Sequence, residues 1–326
     1  MLKRVANIAF CLLMAGCFSD APRENPFDSK DGFSITGQVL TSIGKNPVSG
    51  ALISLTPSNV GTITDNNGFF AIQNIQSGSY TISCEAEGFA PTEQSVDLTK
   101  GISIEFELNA LPQLASASLL TRHVSRFFPA EDEFYIDVEL QGIDPDQTGG
   151  QLTGWYELPS FAFADTLTED SLQSNLYLGR LEATDIGISS IRRLIGKPFT
   201  FFIEDSEGSI TASEDKFISR IIDTTPVTSR PIADDVVTIP FVMEWELVTQ
   251  LVDFTYKIEI YEIQIDTTLL LVEIDGFRPG TTRYTYSTPI DPQLPEEKPL
   301  FWVLYIVDEF GNSSRSKPAA FSILQN

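Results

Sequence analysis

Acid–base or metal chemistry would have to come from a thin stock of side chains. The 326-residue chain holds one histidine, His123, and three cysteines, Cys11, Cys17 and Cys84. One histidine cannot build a histidine-based zinc site, and it leaves a Ser-His-Asp arrangement a single candidate base. His123 lies in Leu119-Leu-Thr-Arg122-His123-Val-Ser-Arg126, and no serine sits in a Gly-x-Ser-x-Gly elbow. It reads as a solvated or hydrogen-bonded strand histidine. Carboxylates are abundant, with Asp144-Pro145-Asp146, Asp165, Glu169-Asp170 and Asp234-Asp235 the tightest groups. Paired carboxylates across a cleft hydrolyse glycosides, and carboxylate loops hold calcium. Small β-domains rarely provide such a cleft, and no Asp-x-[Asp/Asn]-x-[Asp/Asn]-Gly loop is present. The acidic groups therefore read as solvated turn residues, with no metal and no cofactor expected. P-loop and dinucleotide-binding patterns are absent.

Aromatic side chains offer better binding chemistry, because they serve both cores and recognition surfaces. Trp155 and Tyr156, with Phe161 and Phe163, form a candidate platform for sugars, and Trp302 with Tyr305 a second. Trp302, Leu304 and Ile306 alternate against Phe301, Val303, Tyr305 and Val307, so both faces of that strand are apolar. Such a strand is central and buried, which assigns Trp302 to core. Trp155 and Tyr156 remain as candidate ligand contacts.

Charge and the N-terminal residues address the chain to a cell compartment. Acidic residues number 45 against 21 basic ones, a formal charge of −24. A field of that sign repels phosphate backbones, so no nucleic-acid partner is expected. Lys3 and Arg4 precede a mostly apolar run from Val5 to Met14, the length of a signal-peptide core. The run ends in Leu13-Met14-Ala15-Gly16-Cys17. These residues resemble the lipobox of bacterial lipoproteins, with Met14 where that family usually has Leu, Val or Ile. The resemblance implies that residues 1–16 leave as a signal peptide and that Cys17 is lipidated. Each buried methylene contributes about 0.8 kcal/mol, so two or three acyl chains hold a membrane firmly. Phe18 rather than Asp follows the cysteine, which favours the outer membrane and leaves the periplasmic or surface face open. With Cys11 removed and Cys17 acylated, Cys84 has no partner for a disulfide.

The elements that position these residues are strands. Residues 17–32 are polar and hold two prolines, Pro22 and Pro26, as suits a tether. From Phe33 onward short runs alternate apolar and polar residues between turns rich in Gly, Asn and Pro, the pattern of an antiparallel sandwich. Ile35-Thr-Gly37-Gln-Val39, Pro47-Val48-Ser-Gly50-Ala51-Leu-Ile53, Thr64-Asp65-Asn66-Asn67-Gly68-Phe69-Phe70 and Gly78-Ser-Tyr80-Thr-Ile82 follow in order. This series resembles the carboxypeptidase regulatory-like domain, a transthyretin-like sandwich, over 33–111. No catalytic domain precedes it, so the resemblance implies a spacer or folding module rather than an activity. Beyond Pro112 the chain looks like a divergent pair, 112–222 and 223–326. Lys197-Pro198 leads through an aromatic-rich strand to Asp205-Ser-Glu-Gly208, and Lys298-Pro299 leads likewise to Asp308-Glu-Phe-Gly311. Closing strands are expected at Lys216–Ile221 and Ala319–Leu324, and a helix at Ala183–Leu194. The second copy, with Trp245, Tyr256-Lys-Ile258-Glu-Ile260 and Phe301–Ser313, resembles a fibronectin type III domain; 112–222 is a divergent fibronectin III/Ig-like sandwich. The expectation is an all-β chain of three tandem antiparallel Ig-like or transthyretin-like sandwiches after a lipoprotein signal peptide. Its expected role is non-catalytic: a lipid-anchored binding or scaffolding module with an unknown protein or glycan partner, or alternatively a carbohydrate-binding surface lipoprotein.

Overall fold

The computed structural model describes residues 32–145, 152–249, 252–290 and 298–324. Cys17, the signal segment and residues 17–31 of the tether lie outside the described residues. The chain is all-β, with two short 3-10 turns besides its strands. It divides into two compact units, residues 1–110 and 111–326.

Seven strands build the first unit: β1 (Phe33–Thr41), β2 (Leu52–Thr56), β3 (Val60–Ile63), β4 (Phe69–Ile75), β5 (Gly78–Glu85), β6 (Thr92–Leu98) and β7 (Ile102–Leu108). They form two sheets, ordered β4-β1-β7 and β3-β2-β5-β6. Successive side chains point to opposite faces of a strand. Ile35 and Val39, Ile53 and Leu55, and Ile82 and Cys84 consequently meet between the sheets, fully or almost fully buried. Burial, with the neighbouring Glu85 charge, pushes the Cys84 thiol up to about 11. Its reactive thiolate is therefore scarce, and the residue is inert packing.

The second unit begins with β8 (Gln113–Val124), β9 (Glu133–Ile143), β10 (Thr153–Leu158), β11 (Phe163–Thr166), β12 (Thr168–Glu169), β13 (Leu176–Glu182), β14 (Thr200–Glu204) and β15 (Ile210–Ala212). It continues with β16 (Thr228–Arg230), β17 (Val236–Val237), β18 (Phe241–Trp245), β19 (Phe254–Ile263), β20 (Thr268–Phe277), β21 (Arg283–Tyr286), β22 (Lys298–Asp308), β23 (Ser313–Arg315) and β24 (Ala319–Ile323). Two separate hydrophobic cores exist. One gathers Ile136, Leu140, Tyr156, Phe199 and Phe201; the other gathers Trp245, Tyr256, Trp302, Leu304 and Phe321. Sheet β11-β10-β14-β15 covers the first core and sheet β16-β18-β21 the second. A single ten-stranded sheet, running β12-β13-β9-β8-β23-β22-β19-β20 with β24 and β17 beside β22, backs them both. The two sandwiches are thus joined by parallel pairing of β8 with β23, in the register Arg122↔Ser313, His123↔Ser314 and Val124↔Arg315.

The joint is polar and tightly bonded. Asn312 is fully buried. Its Oδ1 accepts from the Thr121 N–H at 2.9 Å, and its Nδ2 donates to Ser219 Oγ and Asp308 Oδ2, both at 3.0 Å. Thr121 Oγ1 donates to the Arg220 carbonyl at 2.7 Å. Arg220 also reaches Asp308 and Glu309, each at 3.3 Å.

One turn recurs in all three sandwiches. Asp65, Asp205 and Asp308 each receive, on one carboxylate oxygen, the backbone N–H groups two and four residues ahead, at 2.8–3.0 Å. The glycine at the fourth position, Gly68, Gly208 or Gly311, closes the turn at φ of +75°, +84° or +88°. An Asp side chain that mimics a backbone acceptor and a Gly that accepts positive φ are what this turn requires.

Two expected elements are absent. Ala183–Leu194 is not an α-helix: its first half is turn, and only Ile191–Leu194 makes a 3-10 turn. Gly187 at φ +65° interrupts it, and Ile191 and Leu194 reach the core from an irregular loop. Lys216–Ile221 is not a closing strand, keeping only one bridge, Phe199↔Lys216. Its polar groups are used at the joint instead, where Ser219 and Arg220 accept bonds from Asn312 and Thr121, and Ile222 just beyond accepts from His123. The corresponding segment of the last sandwich is the regular strand β24.

Candidate functional site

Pairing β8 with β23 creates a surface that neither sandwich has alone. Side chains of β9, β8, β23, β22, β19 and β20 share one face of the long sheet. Cross-strand register sets Tyr135, Arg122, Ser313, Val307 and Thr255 in one row. Arg315, Tyr305 and Lys257 fill the row beside it. Over this face lies an open trough of about 610 Å³, with Glu273 and Asp275 of β20 on its far wall.

Its charges are fixed by partners. Arg122 donates from Nε to Asp137 at 2.6 Å and from Nη1 to the Gly311 carbonyl at 2.6 Å and Ser313 Oγ at 3.2 Å. Lys257 donates to Glu259 at 2.6 Å and to Glu273 at 3.3 Å, and stands 4.7 Å from the Tyr305 ring centre. Tyr261 donates to Glu259 at 2.5 Å. Burial alone would raise Glu259, but hydrogen bonds from Lys257, Tyr261 and Tyr305 outweigh it and hold the carboxyl below its ordinary range. Burial, then the Glu259 charge, pushes the Tyr305 phenol well up. The trough therefore presents ionised carboxylates, ammonium and guanidinium groups and neutral phenols in set positions. Arg315 Nε is buried with no hydrogen-bond partner among the described residues. Such a lining can exchange several hydrogen bonds with a polar, hydroxyl-rich ligand.

His123 is placed elsewhere and in another role. It is 3% exposed, and Nδ1 lies 3.0 Å from the Ile222 carbonyl while Nε2 lies 3.0 Å from Asp132. Ser314 Oγ is 3.4 Å from the same Nδ1 and fully buried. A carbonyl only accepts, so Nδ1 carries a hydrogen and has no lone pair for a serine proton. The ring, stacked on Phe134 at 4.0 Å, fastens the two sandwiches. Asp132 beside it is raised by partial burial, but hydrogen bonds from His123 and Ser125, with the charges of His123 and Lys317, bring it below its ordinary range.

The structure separates Trp155 from Tyr156. Alternate residues of β10 face opposite ways, so Tyr156 is fully buried among Phe163, Phe199 and Phe201 and meets no ligand. Burial raises its phenol strongly, and its hydroxyl has no partner among the described residues. Trp155 faces outward, half-buried, and stacks on Phe202 at 5.2 Å. Trp302 is fully buried in the third core and donates from Nε1 to the Pro231 carbonyl at 2.8 Å. Tyr305 sits on the opposite face of that strand and lines the trough. The polar alternation Thr255, Lys257, Glu259 marks β19 as two-faced in the sequence; the contribution of β8 and β9 to the same surface has no local signal. Among the described residues no group of three or more His, Cys, Asp or Glu is placed to hold a metal ion. No helix of the described residues is long and apolar enough to cross a membrane.

Comparison with known proteins adds a family for one quarter of the chain. Residues 35–117 match the CarboxypepD_reg-like domain. No curated protein matches the chain significantly. Among solved structures, a Bacteroides uniformis protein provisionally described as carbohydrate-binding is similar at 12% identity and a TM-score of 0.23, covering 57% of this chain and 97% of that one. The major pilin subunit BcpA of Bacillus cereus is similar at 10% identity and a TM-score of 0.29, over 91% of this chain and 99% of its own. The FN1–FN3 domains of chicken CNTN1 are similar at 11% identity and a TM-score of 0.32, over 86% and 92%.

Proposed function

We propose that this chain is a non-catalytic binding module of the bacterial cell envelope, held to a membrane by lipid on Cys17, that takes a hydroxyl-rich ligand, a glycan, in the trough. The observation that carries the reading is two adjacent rows of hydrogen-bonding side chains, with Tyr135, Arg122 and Ser313 in one and Tyr305 and Lys257 in the other, made continuous across two sandwiches. A glycan offers closely spaced donors and acceptors, which is what fixed carboxylates and cations at hydrogen-bond spacing select. The described lining residues are hydrogen-bonding groups, and binding is the chemistry they support. The lipid anchor rests on the Leu13-Met14-Ala15-Gly16-Cys17 sequence, and its outer-membrane placement on Phe18.

The test is retention of the full chain on immobilised envelope and plant polysaccharides. Asp275 is exposed on the far wall, so Asp275→Ala should leave the fold intact and weaken retention several-fold, as should Tyr135→Ala. Retention lost with Trp155→Ala and kept with Asp275→Ala would move the site to the outer face of β10. An unchanged elution on every polysaccharide would leave a scaffold without a glycan site. Palmitate labelling that persists in Cys17→Ser would remove the anchor from the reading.

A further inference from the structure

We propose that a second groove, beside the last strand, receives a short extended apolar peptide ending in a carboxylate, which pairs with the open edge of β24. The groove encloses about 630 Å³ and is lined mainly by apolar groups, among them Phe127, Pro226, Val227, Ile232 and Ala319. Phe127 is 66% exposed and the adjoining Phe128 91%. An exposed phenylalanine lining an apolar groove, with a second exposed one next to it in sequence, marks a recognition surface rather than a scattered exposure.

Both walls are strand edges. Along β24, the Ser322 N–H donates to the Asp235 carbonyl at 2.9 Å and the Leu324 N–H to the Val237 carbonyl at 2.8 Å. These bonds leave on the side away from β22. Backbone groups alternate sides along a strand, so Ala320 presents its N–H and C=O on that same outer side. There β17 has not yet begun, because it runs alongside only Ser322 and Ile323. The opposite wall is β16, the edge strand of its sheet. The Glu246 N–H donates to the Val227 carbonyl, which turns the backbone of Thr228 outward as well. An incoming strand would find unpaired main-chain groups on one side and apolar pockets beneath, the two elements of strand addition. About four residues, near 13 Å of extended chain, match the stretch from Lys317 to Ala320.

Charge selects the end of the peptide. Among the described residues Lys317 is the one charged side chain lining the groove, and it stands 5.1 Å above the Phe127 ring. Its charge also reaches Asp132, lowering that carboxyl. A cation at the mouth of an apolar slot favours a chain that ends there in a carboxylate.

Panning the full-length protein against a random hexapeptide library, displayed with free carboxylate ends and in parallel with amidated ends, tests this. Enrichment of apolar sequences from the free-acid pool is expected. Ala320→Pro removes only an outward N–H, which an edge position tolerates. It should weaken binding of the enriched peptides about five- to tenfold, the contribution of one hydrogen bond. Lys317→Ala should abolish the preference for acid over amide, and this variant carries the test if Ala320→Pro unfolds. No enrichment, equal enrichment of both pools, or affinity unchanged in both variants would overturn the proposal. So would concentration-dependent self-association that Lys317→Ala and Phe127→Ala abolish, which would make the occupant a second copy.

Discussion

Replacing Asn312 by alanine should uncouple the two sandwiches of residues 111–326 and destabilise both. The side chain is fully buried and bonded through both ends of its amide. Alanine leaves the Thr121 N–H without an acceptor in the interior, which costs about 1–3 kcal/mol. It also removes a hydrogen bond to the buried Asp308 carboxylate, worth about 1.5–3 kcal/mol because that partner is charged. The sum is about 2.5–6 kcal/mol, enough to lower the midpoint of a unit of this size by about 5–20 °C. Thr121→Val, which keeps the backbone bond and loses only the hydroxyl, should cost about 1 kcal/mol. All three tryptophans, Trp155, Trp245 and Trp302, lie in this unit, so their fluorescence during urea unfolding reports on it alone. Trp155→Phe leaves probes only in the last sandwich and allows the two halves to be followed separately. A wild-type single transition that splits in Asn312→Ala is the expected outcome. A loss below about 1 kcal/mol, or an effect no larger than that of Thr121→Val, would refute the assignment of the joint to this amide.

Other expectations follow from single residues. A Cβ on Gly68 would lie 2.4 Å from the Val39 carbonyl oxygen, whereas one on Gly208 meets nothing closer than 3.9 Å; Gly68→Ala should therefore cost about 3 kcal/mol against about 1 kcal/mol for Gly208→Ala, by thermal melting. Asp132 is held below its ordinary range in the folded chain, so its stabilising contribution is complete above the unfolded carboxylate pKa, near 4, and is lost as pH falls through the lower folded value. The stability gap between wild type and Asp132→Asn, from urea midpoints at each pH, should shrink below about pH 4; a constant gap down to pH 2 would contradict this. In a Cys11→Ser/Cys17→Ser variant, Cys84 should resist a thiol reagent at pH 8 until urea unfolds the first unit, because it is fully buried and its thiol is pushed up to about 11.

The all-β architecture was legible because alternation is a local property. Ile35 and Val39, or Ile53 and Leu55, declare their buried face within a few residues, and the Asp-x-x-Gly turns declare themselves by composition. The failures share a cause. Ala183–Leu194 has apolar residues at helix-compatible spacing, yet Gly187 at positive φ lets them reach the core from a loop. Lys216–Ile221 alternates like a strand, but its hydrogen-bonding groups serve Asn312 and Thr121, which lie about a hundred positions away. Trp155 and Tyr156 are neighbours in sequence and therefore opposites in a strand, which rules out a shared platform. The trough needed the register of Arg122 with Ser313, a pairing across 191 positions that leaves no trace in either segment alone.

The first sandwich begins and ends on strands that run side by side in the same direction. β1 and β7 pair in parallel over seven residues, from Ile35↔Ile102 to Thr41↔Leu108, and the same sense of pairing recurs at β8 with β23 and β17 with β24. A pull that enters at the start of β1 and leaves at the end of β7 slides these strands past each other. Every bond of the ladder then resists at once, where a hairpin tugged at its open ends would unzip bond by bond. Forced unfolding is governed by that barrier rather than by equilibrium stability. Under such a pull the first sandwich is clasped along the direction in which the force acts.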